Sequence, residues 1–190
     1  MGLFDFLRGN FPSSDWVRNP NLRIEVDLDH HTLCGVPLGQ STVPLRGLGP
    51  AASAAAAKIG SFDYPPHGLS FSDEGGILAE FTLNWNEVGG AQPFTGPVHA
   101  LGQSFQLHGR TTEEQFTAFF GEPHWREFEE DGDFTLYCER STDSGAVEWQ
   151  VYFSGEALLD TLSVSMCPEM AELAYRQMTG CDRPWPPQCP

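Results

Sequence analysis

The chain has 190 residues, and its 26 Asp and Glu against 10 Lys and Arg give a formal net charge of −16 at pH 7. This charge argues against binding to nucleic-acid phosphates or to anionic lipid, because both need clustered basic side chains. Hydrophobic residues make up 40% of the chain, which excludes a wholly disordered protein. With no apolar run long enough to span a bilayer and no secretory leader, we predict a soluble protein without membrane insertion.

The cysteine content favours a reducing compartment. The chain has five cysteines, an odd number, and no CxxC pair. This pattern is typical of reduced, buried thiols, so we predict a cytoplasmic location. Cys181 and Cys189 flank a proline-rich stretch near the end of the chain. They could close a small loop under oxidising conditions, and the sequence leaves their pairing open.

Residues 1–20 form an N-terminal apolar segment. Leu3, Phe4, Leu7 and Phe11 fall near one face of a short helix, which we expect to pack against the domain. Docking of this segment onto a larger assembly is an alternative.

Residues 21–88 are predicted to form a first α+β pseudo-repeat. Apolar and polar residues alternate over 22–29, as in a half-buried strand, and 31–38 follows as its hairpin partner. Two further strands are predicted over 68–72 and 77–85, on either side of a glycine turn.

Residues 89–97 form a Gly/Pro linker, and 98–180 a second pseudo-repeat. A strand pair comes first. A helix follows, capped by Thr111 or Thr112, with Glu114 and Gln115 placed for a capping box. Three strands and a last helix complete this half, and the tail is Pro-rich. The strand pair is predicted over 98–107, and the three strands over 134–140, 147–154 and 158–165. The last helix is predicted over 168–178, and the tail is 181–190.

The two halves present their elements in a similar order. Each has too little apolar surface to be stable alone, so we expect them to share a sheet or to pack face to face as one compact unit. The predicted fold class is α+β, with two pseudo-repeats, largely antiparallel sheet and short helices on one face.

One part of the sequence, a helix that ends at a Gly-x-Pro run and is followed by antiparallel strands, resembles known protein families. The run Thr112-Glu-Glu-Gln-Phe-Thr-Ala-Phe-Phe-Gly-Glu-Pro123 precedes an aromatic strand over 134–137 and the strands at 149–155 and 158–164. This pattern resembles BamE-type lipoproteins and the tandem-repeat β-lactamase inhibitor proteins, and uncharacterised bacterial domains of the same α+β kind. The resemblance implies a bacterial protein with an immunity-like or inhibitor-like role.

The strongest candidate for partner binding is an acidic stretch that carries two large aromatics. Acidic side chains surround Trp125 and Phe128, and aromatic side chains supply contact area at low entropic cost while acidic rims attract basic partners. We predict a binding loop whose carboxylates are Glu127, Glu129, Glu130 and Asp131.

Asp27, Asp29 and His31 are weak candidates for a divalent-metal site, because carboxylates and imidazole are common ligands of such ions. Alternate strand residues lie about 7 Å apart, which is wide for joint ligation, and a solvated strand face is the preferred interpretation. No nucleophile elbow, phosphate loop, dinucleotide fingerprint or zinc motif is present, so we predict neither catalytic residues nor a cofactor.

We therefore predict a non-enzymatic intracellular module that binds a protein partner, of basic character, through an acidic surface. Neutralisation of a basic toxin or enzyme would fit this role. The alternative is a small-molecule or divalent-metal-binding domain with a pocket between the two pseudo-repeats. The sequence leaves the oligomeric state open.

Overall fold

The computed structural model describes residues 13–86, 91–129, 132–142, 145–167 and 176–177. The predicted N-terminal helix, the tail with Cys181 and Cys189, and most of the predicted last helix lie outside these residues. Of that last helix, Arg176 and Gln177 are described, and both are helical.

Within the described ranges, the strands form one sheet of five and one of seven. Their bounds are β1 Val26–Asp27, β2 Thr32–Leu33, β3 Val36–Pro37, β4 Ser61–Tyr64, β5 Leu69–Glu74, β6 Ile77–Asn84, β7 Val98–Ala100, β8 Gln103–Phe105, β9 Trp125–Phe128, β10 Phe134–Thr142, β11 Gly145–Phe153 and β12 Leu159–Cys167. The helices are α1 Ala54–Ala57 and α2 Glu113–Phe120, with 3-10 helices at Val43–Leu48 and Pro65–His67.

The five-stranded sheet has the order β3-β2-β1-β7-β8, and the seven-stranded sheet has the order β4-β5-β6-β12-β11-β10-β9. Only the β1–β7 pair is parallel among the described pairs; the others are antiparallel. Strands that precede residue 87 and strands that follow residue 97 lie side by side in both sheets. The predicted α+β class, dominated by antiparallel sheet, is confirmed.

The seven-stranded sheet has one apolar and one polar face, because successive side chains of a strand point to opposite sides. Leu136, Val151, Leu162 and Leu83 are paired across four neighbouring strands and are fully buried. The next row along the strands is polar, with Tyr137, Gln150, Ser163 and Thr82 in the same cross-strand register. The hydroxyls of Thr82 and Ser163 lie 2.8 Å apart, so they share a hydrogen bond.

Helix α2 packs on the apolar face and forms as the sequence predicts. Thr112 is the N-cap: its side chain accepts from Gln115 N–H, and the Gln115 side chain accepts from Thr112 N–H, completing a capping box. Phe116 and Phe120 are buried. Phe116 meets the Phe153 ring edge-on at a centroid distance of 6.1 Å, which fixes the helix over β11.

Two local predictions need correction. The strand predicted over 22–29 is reduced to Val26–Asp27, because Asp27 Oδ1 accepts the N–H groups of Asp29 and His30 and turns the chain. The acidic stretch predicted as a loop contains strand β9, which pairs with β10 from Trp125 to Phe128. Because β9 lies at the edge of the sheet, its sequence lacks the alternating aliphatic residues of a buried strand. Its residues are Trp125, Arg126, Glu127 and Phe128.

A single hydrophobic cluster joins residues of both sheets. Val26 and Leu33 come from the small sheet, and Phe81, Leu162 and Val164 from the large one. In the part of the chain that the structure describes, no helix is long and apolar enough to cross a membrane.

Candidate functional site

Strand β9 forms one edge of the seven-stranded sheet. It pairs with β10 on one side, from Trp125 opposite Tyr137 to Phe128 opposite Phe134. Among the described strands, none pairs with its other side. Because hydrogen-bonding positions alternate along an antiparallel strand, part of the β9 backbone faces away from β10 and is free to bind another chain.

The β9 edge exposes one large aromatic side chain among carboxylates. Phe128 is 68% exposed, although its ring lies 6.0 Å from the Phe134 centroid and is held at a tilt. Glu127 and Glu129 are exposed on either side of it, and Trp125 is half-buried. Aromatic side chains are enriched among the residues that carry most of the binding energy at protein interfaces, so Phe128 is the residue of this edge best suited to contact a partner.

The cation on β9 is already paired. The Arg126 guanidinium contacts the Glu113 carboxylate at the start of α2. It also lies over the rings of Phe128 and Phe134, 5.8 and 5.6 Å from their centroids. Since Glu113 offsets this positive charge, the exposed carboxylates dominate the field at the edge.

The carboxylate of Glu127 is held in place by the neighbouring strand. The Tyr137 hydroxyl donates to Glu127 Oε2 at 2.8 Å. Asp133, just before β10, accepts from the Tyr152 hydroxyl in a similar way. We define the acidic edge as Trp125, Glu127, Phe128 and Glu129; Glu130 and Asp131 lie outside the described residues.

A second group of charges lies on the same polar face but is buried. Glu139 and Glu148 are directly opposite each other on β10 and β11, and each is less than 10% exposed. His124 Nε2 lies 3.5 Å from Glu139 Oε1 and 3.9 Å from Glu148 Oε2. The Arg176 guanidinium contacts Glu139, and we name these four residues the buried charge cluster.

The buried charge cluster holds distant parts of the chain together. Like charges directly opposite on two strands repel, so Glu139 and Glu148 need a cation, which Arg176 supplies. The Gln150 amide donates to Glu148 Oε1 at 2.9 Å and further satisfies this carboxylate. Side chains this far from solvent offer no surface to a substrate or a partner.

Sequence reasoning missed the buried charge cluster. Alternation along 134–140 and 147–154 places Glu139 on the face of Tyr137, and Glu148 on the face of Gln150. The cross-strand register that brings Glu139 opposite Glu148 is set by the hairpin between β10 and β11, and Arg176 joins from a separate segment. The sequence feature that could have indicated the cluster is the presence of one glutamate inside each of two strands that are otherwise mostly buried.

The three metal-site candidates serve other purposes. Asp27 Oδ2 lies 2.9 Å from Nδ1 of the exposed His30, and this hydrogen bond raises the pKa of His30. Asp29 accepts the backbone N–H groups of Leu101 and Gly102 at 2.7 and 3.0 Å, tying the turn of one half to the other half. In the described residues, no His, Cys, Asp or Glu side chains form a group of three that could hold a metal ion.

His31 turns into the core instead of toward a metal. It is buried, with its ring centroid 5.9 Å from that of Trp149. Burial, together with the Arg140 charge, lowers the pKa of His31 to about 4, so the imidazole is neutral at pH 7. Its backbone has a positive φ of 50°, which helps the turn between β1 and β2.

Two of the described thiols, those of Cys34 and Cys138, are poorly suited to nucleophilic chemistry. Burial raises the pKa of Cys34 to about 11, and Cys138 is 1% exposed. A thiolate nucleophile needs a lowered pKa and access to substrate. Of the surfaces that the structure describes, the acidic edge has the character of a binding site.

Comparison of the chain with protein-family models, with curated proteins and with solved structures finds no match in any of the three. Function must therefore be inferred from the residues themselves.

Proposed function

We propose that the protein is a non-enzymatic binding module that holds a basic segment of a partner protein against the acidic edge. The observation that carries the proposal is the 68% exposure of Phe128 on an edge strand, between Glu127 and Glu129. Exposed apolar area and fixed charge together provide affinity and a preference for partners of opposite charge.

An extended partner segment suits this edge. A strand added beside β9 would satisfy its outward-facing backbone groups, which is a common mode of peptide recognition. Successive side chains of such a segment would meet Phe128 on one face and Glu127 on the other, since neighbouring β9 residues point to opposite faces. An apolar residue directly followed or preceded by a Lys or Arg is the partner pattern that fits.

The charge of the whole chain supports a basic partner. A net charge of −16 attracts cationic proteins over distances near the Debye length, about 8 Å at physiological salt. The hydrogen bond from Tyr137 holds Glu127 in place before binding, so less side-chain entropy is lost when a cation arrives.

Site-directed photocrosslinking tests this proposal. Replacing Phe128 with p-benzoylphenylalanine puts a photoreactive ring at the centre of the acidic edge. The matched control is the same replacement at Phe119, which is 47% exposed on α2. In a lysate of native cells at low salt, we expect a crosslink to one basic protein from position 128. It should be lost when the lysate is brought to high salt and should be absent from position 119.

Two results would contradict the proposal. Equal crosslinking from both positions would show that the edge has no preference for a partner. Crosslinking that persists at high salt would show that the carboxylates play no part in attracting it.

A further inference from the structure

An open groove of about 610 Å³ lies where the two halves of the chain meet. Trp85, at the end of β6, forms one side, and Leu107 to Arg110, after β8, form the other, with Phe94 from the connecting segment. Its volume falls in the range of small-molecule sites, about 300–1,000 Å³. The groove shares no residue with the acidic edge.

The floor of the groove is apolar and held firmly. Trp85, Phe94 and Leu107 are each less than 10% exposed. The rings of Trp85 and Phe94 meet edge to face at 6.1 Å. Backbone bonds fix both residues: Trp85 N–H donates to Asp160 at 2.8 Å, and Phe94 N–H donates to Asn84 at 2.7 Å. A preformed apolar floor of this kind accepts a flat or branched apolar group.

Two polar side chains of the groove, His108 and Arg110, present hydrogen-bond donors. His108 Nδ1 accepts the Arg110 backbone N–H at 3.1 Å, so the ring proton of the neutral imidazole is on Nε2. Both side chains are exposed at the rim. The exposed Arg110 guanidinium supplies the positive charge at this rim.

The charge of the groove is opposite to that of the chain. No Asp or Glu is among the described residues that line it, although the chain carries 26 of them. The adjacent carboxylate of Asp160 accepts from the Asn86 amide at 3.0 Å. A cationic rim above an apolar floor selects a ligand with a negative head and an apolar body.

We propose that this groove binds a small organic carboxylate with an aromatic or branched apolar body. The carboxylate meets Arg110 and the Nε2–H of His108, and the body rests on Trp85 and Phe94. This site is independent of the proposed partner contact at the acidic edge.

Titration with phenylacetate, followed by the indole N–H signals in a ¹H–¹⁵N NMR spectrum, tests the proposal. The chain has 5 tryptophans, and the Trp85 signal is identified by its loss in Trp85→Phe or by sequential assignment. We expect the Trp85 signal to move with a dissociation constant of about 1 mM or tighter. Phenylacetamide, of the same shape without the charge, should bind about tenfold more weakly.

A matched pair of variants separates recognition from non-specific attraction. Arg110→Gln should weaken phenylacetate binding about tenfold, because the charged hydrogen bond is lost. Arg23→Gln removes an equally exposed arginine outside the groove and should leave binding unchanged. A Trp85 signal that stays fixed, equal binding of phenylacetamide, or equal binding by the Arg110→Gln protein would each overturn the proposal.

Discussion

The acidic edge and the buried charge cluster are built on neighbouring strands of one sheet, and they use their carboxylates in opposite ways. Glu127 on β9 is exposed and held by the Tyr137 hydroxyl. Glu139, two residues after Tyr137 on β10, is buried and is neutralised from within by Arg176. Both carboxylates lie on the polar face of the sheet.

Burial, more than residue type, decides what a carboxylate can do in this chain. A buried carboxylate must be paired inside the protein, and it then ties elements together. An exposed carboxylate near the sheet edge has water as its neighbour and can exchange that water for a cationic partner. The buried charge cluster should therefore govern stability, and the acidic edge should govern binding.

The largest expected effect breaks the buried charge cluster. Arg176→Ala leaves Glu139 and Glu148 facing each other without their cation, and should lower the free energy of unfolding by about 3–5 kcal/mol. Urea unfolding measures this change. Arg23→Ala, which removes an exposed arginine, is the control and should cost less than about 0.5 kcal/mol.

A compensating variant sharpens the interpretation. Combining Arg176→Met with Glu139→Gln removes both charges of the contact and should recover most of the loss. A loss below about 1 kcal/mol in Arg176→Ala would mean that the cluster does not hold the fold.

The next largest effect is expected at two adjacent histidines, of which one is exposed and the other is buried. His30 is exposed beside Asp27, whereas burial lowers the pKa of His31 to about 4. Between pH 6.5 and 4 the unfolded chain gains a proton at His31 that the folded chain does not. The lowered pKa of His31 therefore contributes fully to the free energy of unfolding above pH 6.5. This contribution, up to about 3 kcal/mol, is lost as the pH falls toward 4.

His31→Asn removes this titration and suits the positive φ of 50° at this position. We expect the variant to be less stable at pH 7 but to lose less stability than the natural chain between pH 7 and 4.5. Unfolding by urea at both pH values gives the comparison. The same loss in both proteins would assign the acid sensitivity to other groups.

Sequence patterns predicted the parts of the fold that depend on local periodicity. Spacing predicted a capping box at Thr111 or Thr112 and strands over 134–140 and 147–154. The structure has the box at Thr112 with Gln115, and strands over Phe134–Thr142 and Gly145–Phe153. Strand β9 was missed because an edge strand buries little of its surface and shows no clear alternation. The pairing of Glu139 with Glu148 and Arg176 needed register and long-range contacts, which no local pattern contains.

The contact role that the sequence assigns to the acidic stretch remains a prediction. The aromatic and acidic composition of 125–129 pointed to a contact surface, and the structure places Phe128 in solvent there. The metal hypothesis came from Asp27, Asp29 and His31 being close in sequence. The turn that follows Asp27 gives these residues different roles. Asp29 accepts backbone N–H groups, while His31 enters the core.

A moderate effect is expected at α2, which is joined to strand β9 through the Glu113–Arg126 contact. Thr112→Ala removes the N-cap and should cost about 1 kcal/mol in unfolding free energy, whereas Thr112→Ser should keep most of it. Thermal or urea unfolding distinguishes them. Equal stability of the two variants would show that the capping box contributes little.

The smallest expected effect on stability comes from the acidic edge. Glu127→Lys with Glu129→Lys should change the free energy of unfolding by less than about 0.5 kcal/mol, because both side chains are exposed. The matched control, Asp15→Lys with Glu74→Lys, makes the same change in net charge at exposed positions outside the edge. Urea unfolding of the two double variants checks that both remain folded.

Capture of the partner from native cells by these two double variants, at low and at high salt, tests the central claim most directly. We predict that the natural chain and the Asp15→Lys/Glu74→Lys variant retain the same basic protein at low salt and release it at high salt. The Glu127→Lys/Glu129→Lys variant should fail to retain it. Full retention by that variant would contradict the claim that the exposed carboxylates of this sheet serve binding.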